Sequence, residues 1–132
     1  MKIRYEENPS LTVAMFIDIL ERSTLAERRP VSDKKCIEGM LKNADIIITA
    51  HADDKVVGVA RAVSDFHYCC YLSDLAVDSA YQHQGIGKKL IDEVEKKLEN
   101  GCKIILLSAP AATKYYPKIG FDQHPSAWVK GK

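Results

Sequence analysis

An apolar run, Leu75-Ala76-Val77, leads through Gln82-His83-Gln84-Gly85-Ile86-Gly87-Lys88 into a helix pattern that continues to about Glu99. Few local folds satisfy that order: a strand must pass through two glycines directly into an amphipathic helix. Ile86, Leu90, Ile91, Val94 and Leu98 share one helical face, while Lys88, Lys89, Asp92, Glu93, Lys96 and Lys97 share the other. Asn100-Gly101 supplies the stop. The first turn of such a helix leaves about four backbone N–H groups without internal partners, and its dipole adds roughly half a positive charge there. Glycine removes the Cβ that would hold an anion at a distance. The segment therefore predicts a phosphate-bearing ligand.

Spacing excludes two common phosphate loops. In a Walker loop the lysine is followed by Ser or Thr, but Lys88 is followed by Lys89. A dinucleotide fingerprint needs a third glycine where this chain has Leu90. What remains, Gln-x-x-Gly-x-Gly after Asp74-Leu75-Ala76-Val77, resembles motif A of the GCN5-related N-acetyltransferases, the GNAT superfamily. Ala112-Thr113-Lys114-Tyr115-Tyr116-Pro117-Lys118-Ile119-Gly120-Phe121 resembles motif B of the same superfamily, Ala-x-x-aromatic-Tyr-x-x-x-Gly-Phe. The motifs stand in the right order, separated by room for one helix, one strand and a short loop. The resemblance runs from about Val56 to Phe121, roughly half of the chain.

Bulk properties narrow the remaining classes. At 132 residues the chain reads as one domain, 1–132, able to bury about two thirds of its unfolded surface. A formal net charge of +1 gives no electrostatic case for nucleic acid. No apolar run reaches membrane-span length, and Met1-Lys2-Ile3-Arg4 is no signal peptide, so a cytoplasmic protein with no membrane partner is expected. Cys36, Cys69, Cys70 and Cys102 lack C-x-x-C spacing, and His51, His67 and His124 lack metal-ligand spacing. Free thiols and no metal are expected.

Periodicity sets out the remaining elements. A strand is expected over Lys2–Glu6, a helix over Leu11–Arg22 capped by Ser10, and a charged loop over Ser23–Pro30. Ser32 or Asp33 should cap a second helix to about Asn43, with Cys36, Ile37, Met40 and Leu41 inward. Ile46–Ala52 and Val56–Ser64 should form a hairpin about Asp53-Asp54, followed by a strand over Tyr68–Val77. After the glycine-led helix come a buried strand, Lys103–Ser108, a short helix, Ala111–Ile119, strained by Pro117, and a last strand, Phe121–Val129. The order β-α-α-β-β-β-α-β-α-β is an α/β (α+β) arrangement. It matches what the resemblance implies: a GNAT fold with one mixed, mostly antiparallel sheet, flanking helices and a V-shaped splay between central strands.

The same resemblance implies acetyl-coenzyme A as cofactor and transfer of its acetyl group to a primary amine by direct attack. Leu75, Ala76 and Val77 would bond the pantetheine arm as an added strand would. The backbone of Gln82, His83, Gln84, Gly85, Ile86, Gly87 and Lys88 would wrap the diphosphate, with Ala112 and Tyr115 on the cofactor wall. Tyr116 stands at the position that returns a proton to the departing thiolate. Asp74 is a candidate general base, with a water relay as its rival. Ser73 and Asp74, as strand neighbours, should face opposite ways. Many relatives carry Asn three residues before the motif B alanine, where this chain has Ala109. A non-catalytic acyl-coenzyme A binding module on the same fold is the alternative reading.

The acceptor would be a small-molecule or peptide amine, and a monomer and a homodimer both stay open. Arg28, Arg29, Arg61 and Tyr71 are the main acceptor-site candidates, with Asp65 and His67 nearby in sequence. Arg28-Arg29 could clamp a carboxylate or phosphate, or be solvated surface charge. Arg61 lies midway along an apolar strand and needs either solvent or an acid such as Asp74. Trp128 is read as a packing residue.

Overall fold

The computed structural model describes residues 2–132. Five strands form one sheet in sequence order: β1 (Ile3–Glu7), β2 (Ile46–Ala52), β3 (Lys55–Ser64), β4 (Cys69–Val77) and β5 (Lys103–Ile105). The first three pairings are antiparallel, whereas β4 and β5 run parallel. Helices α1 (Val13–Arg22) and α2 (Lys34–Lys42) cover one face, and α3 (Ile86–Glu95) covers the other. A single turn, α4 (Tyr115–Lys118), follows β5. No helix among the described residues is long and apolar enough to cross a membrane.

Covering both faces explains why β2 and β3 are apolar without alternation. Every residue of β2 is buried: Ile46, Ile48 and Ala50 join the α3 core, while Ile47 joins Phe16, Ile19, Leu20 and Ile37 beneath α1 and α2. Gly58 lets α3 sit close. A Cβ there would lie 3.1 Å from Leu90 Cδ1 and 3.3 Å from Ile86 Cγ2.

Caps fix where the helices begin. Thr12, rather than Ser10, caps α1 by accepting from the Met15 amide. Leu11 before the cap and Phe16 in the first turn share one core, which sets the entry angle of the chain. Asp33 caps α2 through the Cys36 amide, but Cys36 itself is exposed and only Ile37 is fully inward. The hairpin turns at Asp53, which takes a left-handed φ of 54°. The expected loop after α1 contains a 3-10 turn, Leu25–Arg28.

The C-terminal third departs most from the pattern. Residues 121–129 form no strand, and Trp128 is 91% exposed rather than packed. With no strand beyond it, β5 is an edge, shortened to Lys103–Ile105, and Ile105 and Leu107 are exposed. A row formed by Val63, Tyr71 and Ile105, paired across β3, β4 and β5, lies open on the face opposite α3. Helix α3 ends at Glu95, and Lys97 and Leu98 then bond three residues back in a tightened last turn. The helix expected over Ala111–Ile119 divides into a 3-10 turn, Pro110–Ala112, and α4, in which Pro117 has no amide to continue the ladder.

Candidate active site

The β4–β5 ladder holds only three pairs, Cys69–Lys103, Cys70–Ile104 and Tyr71–Ile105. From Leu72 to Val77, β4 continues with no partner on that side, and the strands part as the motif implied. A cleft of about 690 Å³ opens there. Leu75, Ala76 and Val77 line one wall, Ala109, Pro110, Ala112, Tyr115 and Tyr116 another, and Gly85, Ile86 and Gly87 its end. Most of the expected cofactor positions thus meet at one place, together with Gln82 and His83. The Gln84 and Lys88 side chains do not line it; Lys88 pairs with Asp92 at 3.2 Å.

The glycine loop is built as its composition requires. His83 and Gly85 both adopt left-handed φ, 64° and 80°, so the chain curls tightly before α3. Gly85 caps α3 without a side-chain bond, and the first helical bond runs from Lys89 N–H to Gly85 carbonyl. The N–H groups of Ile86, Gly87 and Lys88 therefore stand outside the helical ladder, at the positive end of its dipole. Asp78, at the start of the loop, is held by Arg22 and the Ala80 amide. Burial raises the Asp78 pKa, but the Ala80 amide, Arg22 and Lys55 outweigh it and keep the carboxyl below its usual value.

Tyr116 lines the cleft and packs edge-to-face against Tyr115 and Phe121, with centroids 5.3 and 5.5 Å away. Burial, with Tyr115 beside it, pushes its phenol pKa up, so it keeps its proton at neutral pH. Tyr115 is half-exposed and reaches α3: its phenol oxygen lies 2.7 Å from where a Gly87 Cβ would stand.

Asp74 is not poised as a base. It is fully buried, with one carboxylate oxygen taken by Arg29 Nε and the other by Arg61 Nε. Ser73 does not face away from it, because the register shifts opposite Arg61 and Ala62 and leaves Ser73 as the bulged residue of β4. Arg61 donates to Ser73 Oγ at 2.9 Å, and Arg29 donates to the Ser73 carbonyl at 2.7 Å. Arg29 and Arg61 are thereby tied into a clamp on β4 and do not line the cleft. Of the acceptor candidates only Arg28 does. Tyr71 lies outside it in the exposed row, and Asp65 accepts from the amides of His67, Tyr68 and Cys69 to brace a turn. Ser23, Thr24, Leu25 and Tyr81 also line the cleft, and nothing in their sequence context singles them out.

A family model described as an acetyltransferase (GNAT) domain matches residues 20–131. The chain belongs to the GNAT family. A probable acetyltransferase of Glycine max, TAP2, is 28% identical over 132 residues, covering 87% of this GNAT chain and 52% of the relative. An uncharacterized N-acetyltransferase, ycf52, of Pyropia yezoensis is 33% identical over 110 residues, covering 79% and 61%. The chain thus spans between about half and three fifths of the length of these curated relatives. Among solved structures, a probable acetyltransferase from methicillin-resistant Staphylococcus aureus superposes with a TM-score of 0.79 at 18% identity, covering 98% of this chain and all of the other. AAC(6')-Iy, in complex with the bisubstrate analogue CoA-S-monomethyl-acetylneamine, gives 0.76 at 20% identity, covering 100% and 99%. At such identities the structures establish the GNAT fold, with its mixed, open sheet.

Proposed function

We propose that this GNAT chain transfers an acetyl group from acetyl-coenzyme A to a primary amine, with Tyr116 as the proton donor. The observation that carries this reading is one cleft in which the unpaired length of β4, the free first turn of α3 and the Tyr116 side chain converge. The groups suit such a ligand. Gly87 adds no Cβ to the first turn, beside which only the movable Tyr115 phenol stands, and three main-chain donors at a helix N-terminus suit a diphosphate without a basic side chain. Each charge-assisted bond there contributes on the order of 1.5–3 kcal/mol. The backbone of Leu75 to Val77 offers strand-type bonds to an extended amide-bearing arm.

Acetyl-coenzyme A supplies the acyl group activated as a thioester. An acceptor with a lysine-like pKa of about 10.4 must be presented neutral, which costs on the order of 4–5 kcal/mol at pH 7. With both oxygens of Asp74 engaged, solvent in the open cleft is the route for that proton. Tyr116, which keeps its proton at neutral pH, would give that proton to the departing thiolate. A placed donor of this kind is worth roughly 10²–10⁴-fold in rate.

The test is calorimetric titration with coenzyme A, ATP and NAD, followed by an amine-library screen that reads free thiol released from acetyl-coenzyme A. Binding of coenzyme A alone, with thiol release for at least one amine class, is expected. Preference for ATP or NAD would overturn the reading. Coenzyme A binding with no release for any amine would reduce the chain to an acyl-coenzyme A binding module.

A further inference from the structure

We infer that Tyr115 competes with the diphosphate of coenzyme A for the first turn of α3, and so sets the affinity of this site. The inference rests on the cofactor reading above and adds to it a residue whose side chain works against binding.

The geometry is specific. The Tyr115 phenol oxygen approaches the Gly87 Cβ position to 2.7 Å, the ring carbon that bears it to 3.5 Å, and Leu75 Cδ2 closes the same space at 3.9 Å. A non-glycine side chain at 87 would collide with the tyrosine, so the glycine serves the phenol as much as it serves an anion. The Lys88 amide, third in α3, is one of the donors outside the helical ladder. The phenol oxygen fills the very space that the missing Gly87 Cβ would otherwise leave open to an anion on this turn. A neutral phenol oxygen and a phosphate oxygen cannot both hold this position.

The phosphate is the stronger acceptor because it is charged and meets the positive end of a helix. The phosphate must nevertheless displace the phenol, and Tyr115 has room to move, being 36% exposed on a one-turn helix. Its edge-to-face contact with Tyr116 means that such a movement also changes the packing of the proposed proton donor.

Calorimetric titration of coenzyme A into the wild-type chain and into Tyr115→Phe decides the matter. Phenylalanine keeps the ring but removes the oxygen beside Gly87, so Kd should fall by about three- to tenfold. An unchanged or raised Kd would overturn the inference; a raised one would show that the hydroxyl assists the phosphate. A second measurement does not depend on the variant's folding. In wild-type chain carrying fluorotyrosine, the Tyr115 fluorine resonance should shift as coenzyme A saturates the site, and a stationary resonance with proven binding would also defeat it. If neither protein bound coenzyme A, the cofactor reading itself would fail, and this inference with it.

Discussion

Replacing Asp74 by Asn separates a structural carboxylate from a catalytic one. Among the described residues Asp74 is the sole counter-charge for two guanidiniums, those of Arg29 and Arg61, whose side chains are 21% and 8% exposed. Removing one member of a buried ion pair while leaving the other charged costs about 3–5 kcal/mol. Most of that falls on Arg61, because the more exposed Arg29 can recover part of its hydration. For a domain whose total stability is on the order of 5–15 kcal/mol, the loss is about a fifth or more. Urea unfolding followed by far-ultraviolet circular dichroism is the suitable assay, since Trp128 is already solvated and its fluorescence would report little. Adding Arg61→Met to Asp74→Asn should restore about 1–2 kcal/mol by removing the orphaned charge. If Asp74→Asn instead cost less than about 1 kcal/mol while acetyl transfer fell a hundredfold, the carboxylate would be a base and the clamp argument would be wrong.

Three further outcomes follow from other parts of the molecule. Tyr116→Phe should lower turnover at least tenfold, by the loss of a placed proton donor, with coenzyme A affinity nearly unchanged; undiminished turnover with any accepted amine would remove the phenol from the mechanism. Gly58→Ala should lower the urea midpoint by the equivalent of about 1–3 kcal/mol, because the added methyl meets Leu90, Ile86 and the Ala76 carbonyl at 3.1–3.3 Å. His51, which shares a hydrogen bond with Thr49 Oγ1 at 2.8 Å, has its pKa lowered by burial and by Arg4 against the pull of Glu6. The unfolded chain therefore binds the His51 proton more readily. Stability should begin to fall as pH drops through about 6.5 and continue falling toward the depressed folded pKa, and His51→Gln should flatten that slope in pH-dependent melting.

The parts legible in the sequence are those governed by local rules. The stripe from Ile86 to Val94 and the two glycines before it specify α3 and its free first turn with no tertiary information. Asp33 caps α2 because an Asx side chain three residues before a free amide does so wherever it occurs. The charge of Arg61 within an apolar strand called for solvent or an acid such as Asp74, and Asp74 is its partner.

What escaped reading depends on partners distant in sequence. A bulge at Ser73 turns a hydroxyl and the neighbouring carboxylate toward the same arginine, Arg61, and period-two alternation cannot register such an insertion. Arg29 reads as surface charge until the fold brings it across to β4. Tyr115 reads as part of the cofactor wall, and only the approach of α4 to α3 places its oxygen over Gly87. The apolar residues between 121 and 129 have strand composition, but composition alone forms no strand without a neighbouring edge to bond.

Beyond Tyr71, β4 is half a ribbon: hydrogen-bonded to β3 along one flank, and along the other carrying bare peptide groups for the rest of its length. Raw margins of this kind invite foreign strands and drive self-association. Here the margin is sunk in a trench, with residues 109–112 and the α4 tyrosines forming the opposite bank. Recessing the margin thus screens the strand from pairing with its own kind.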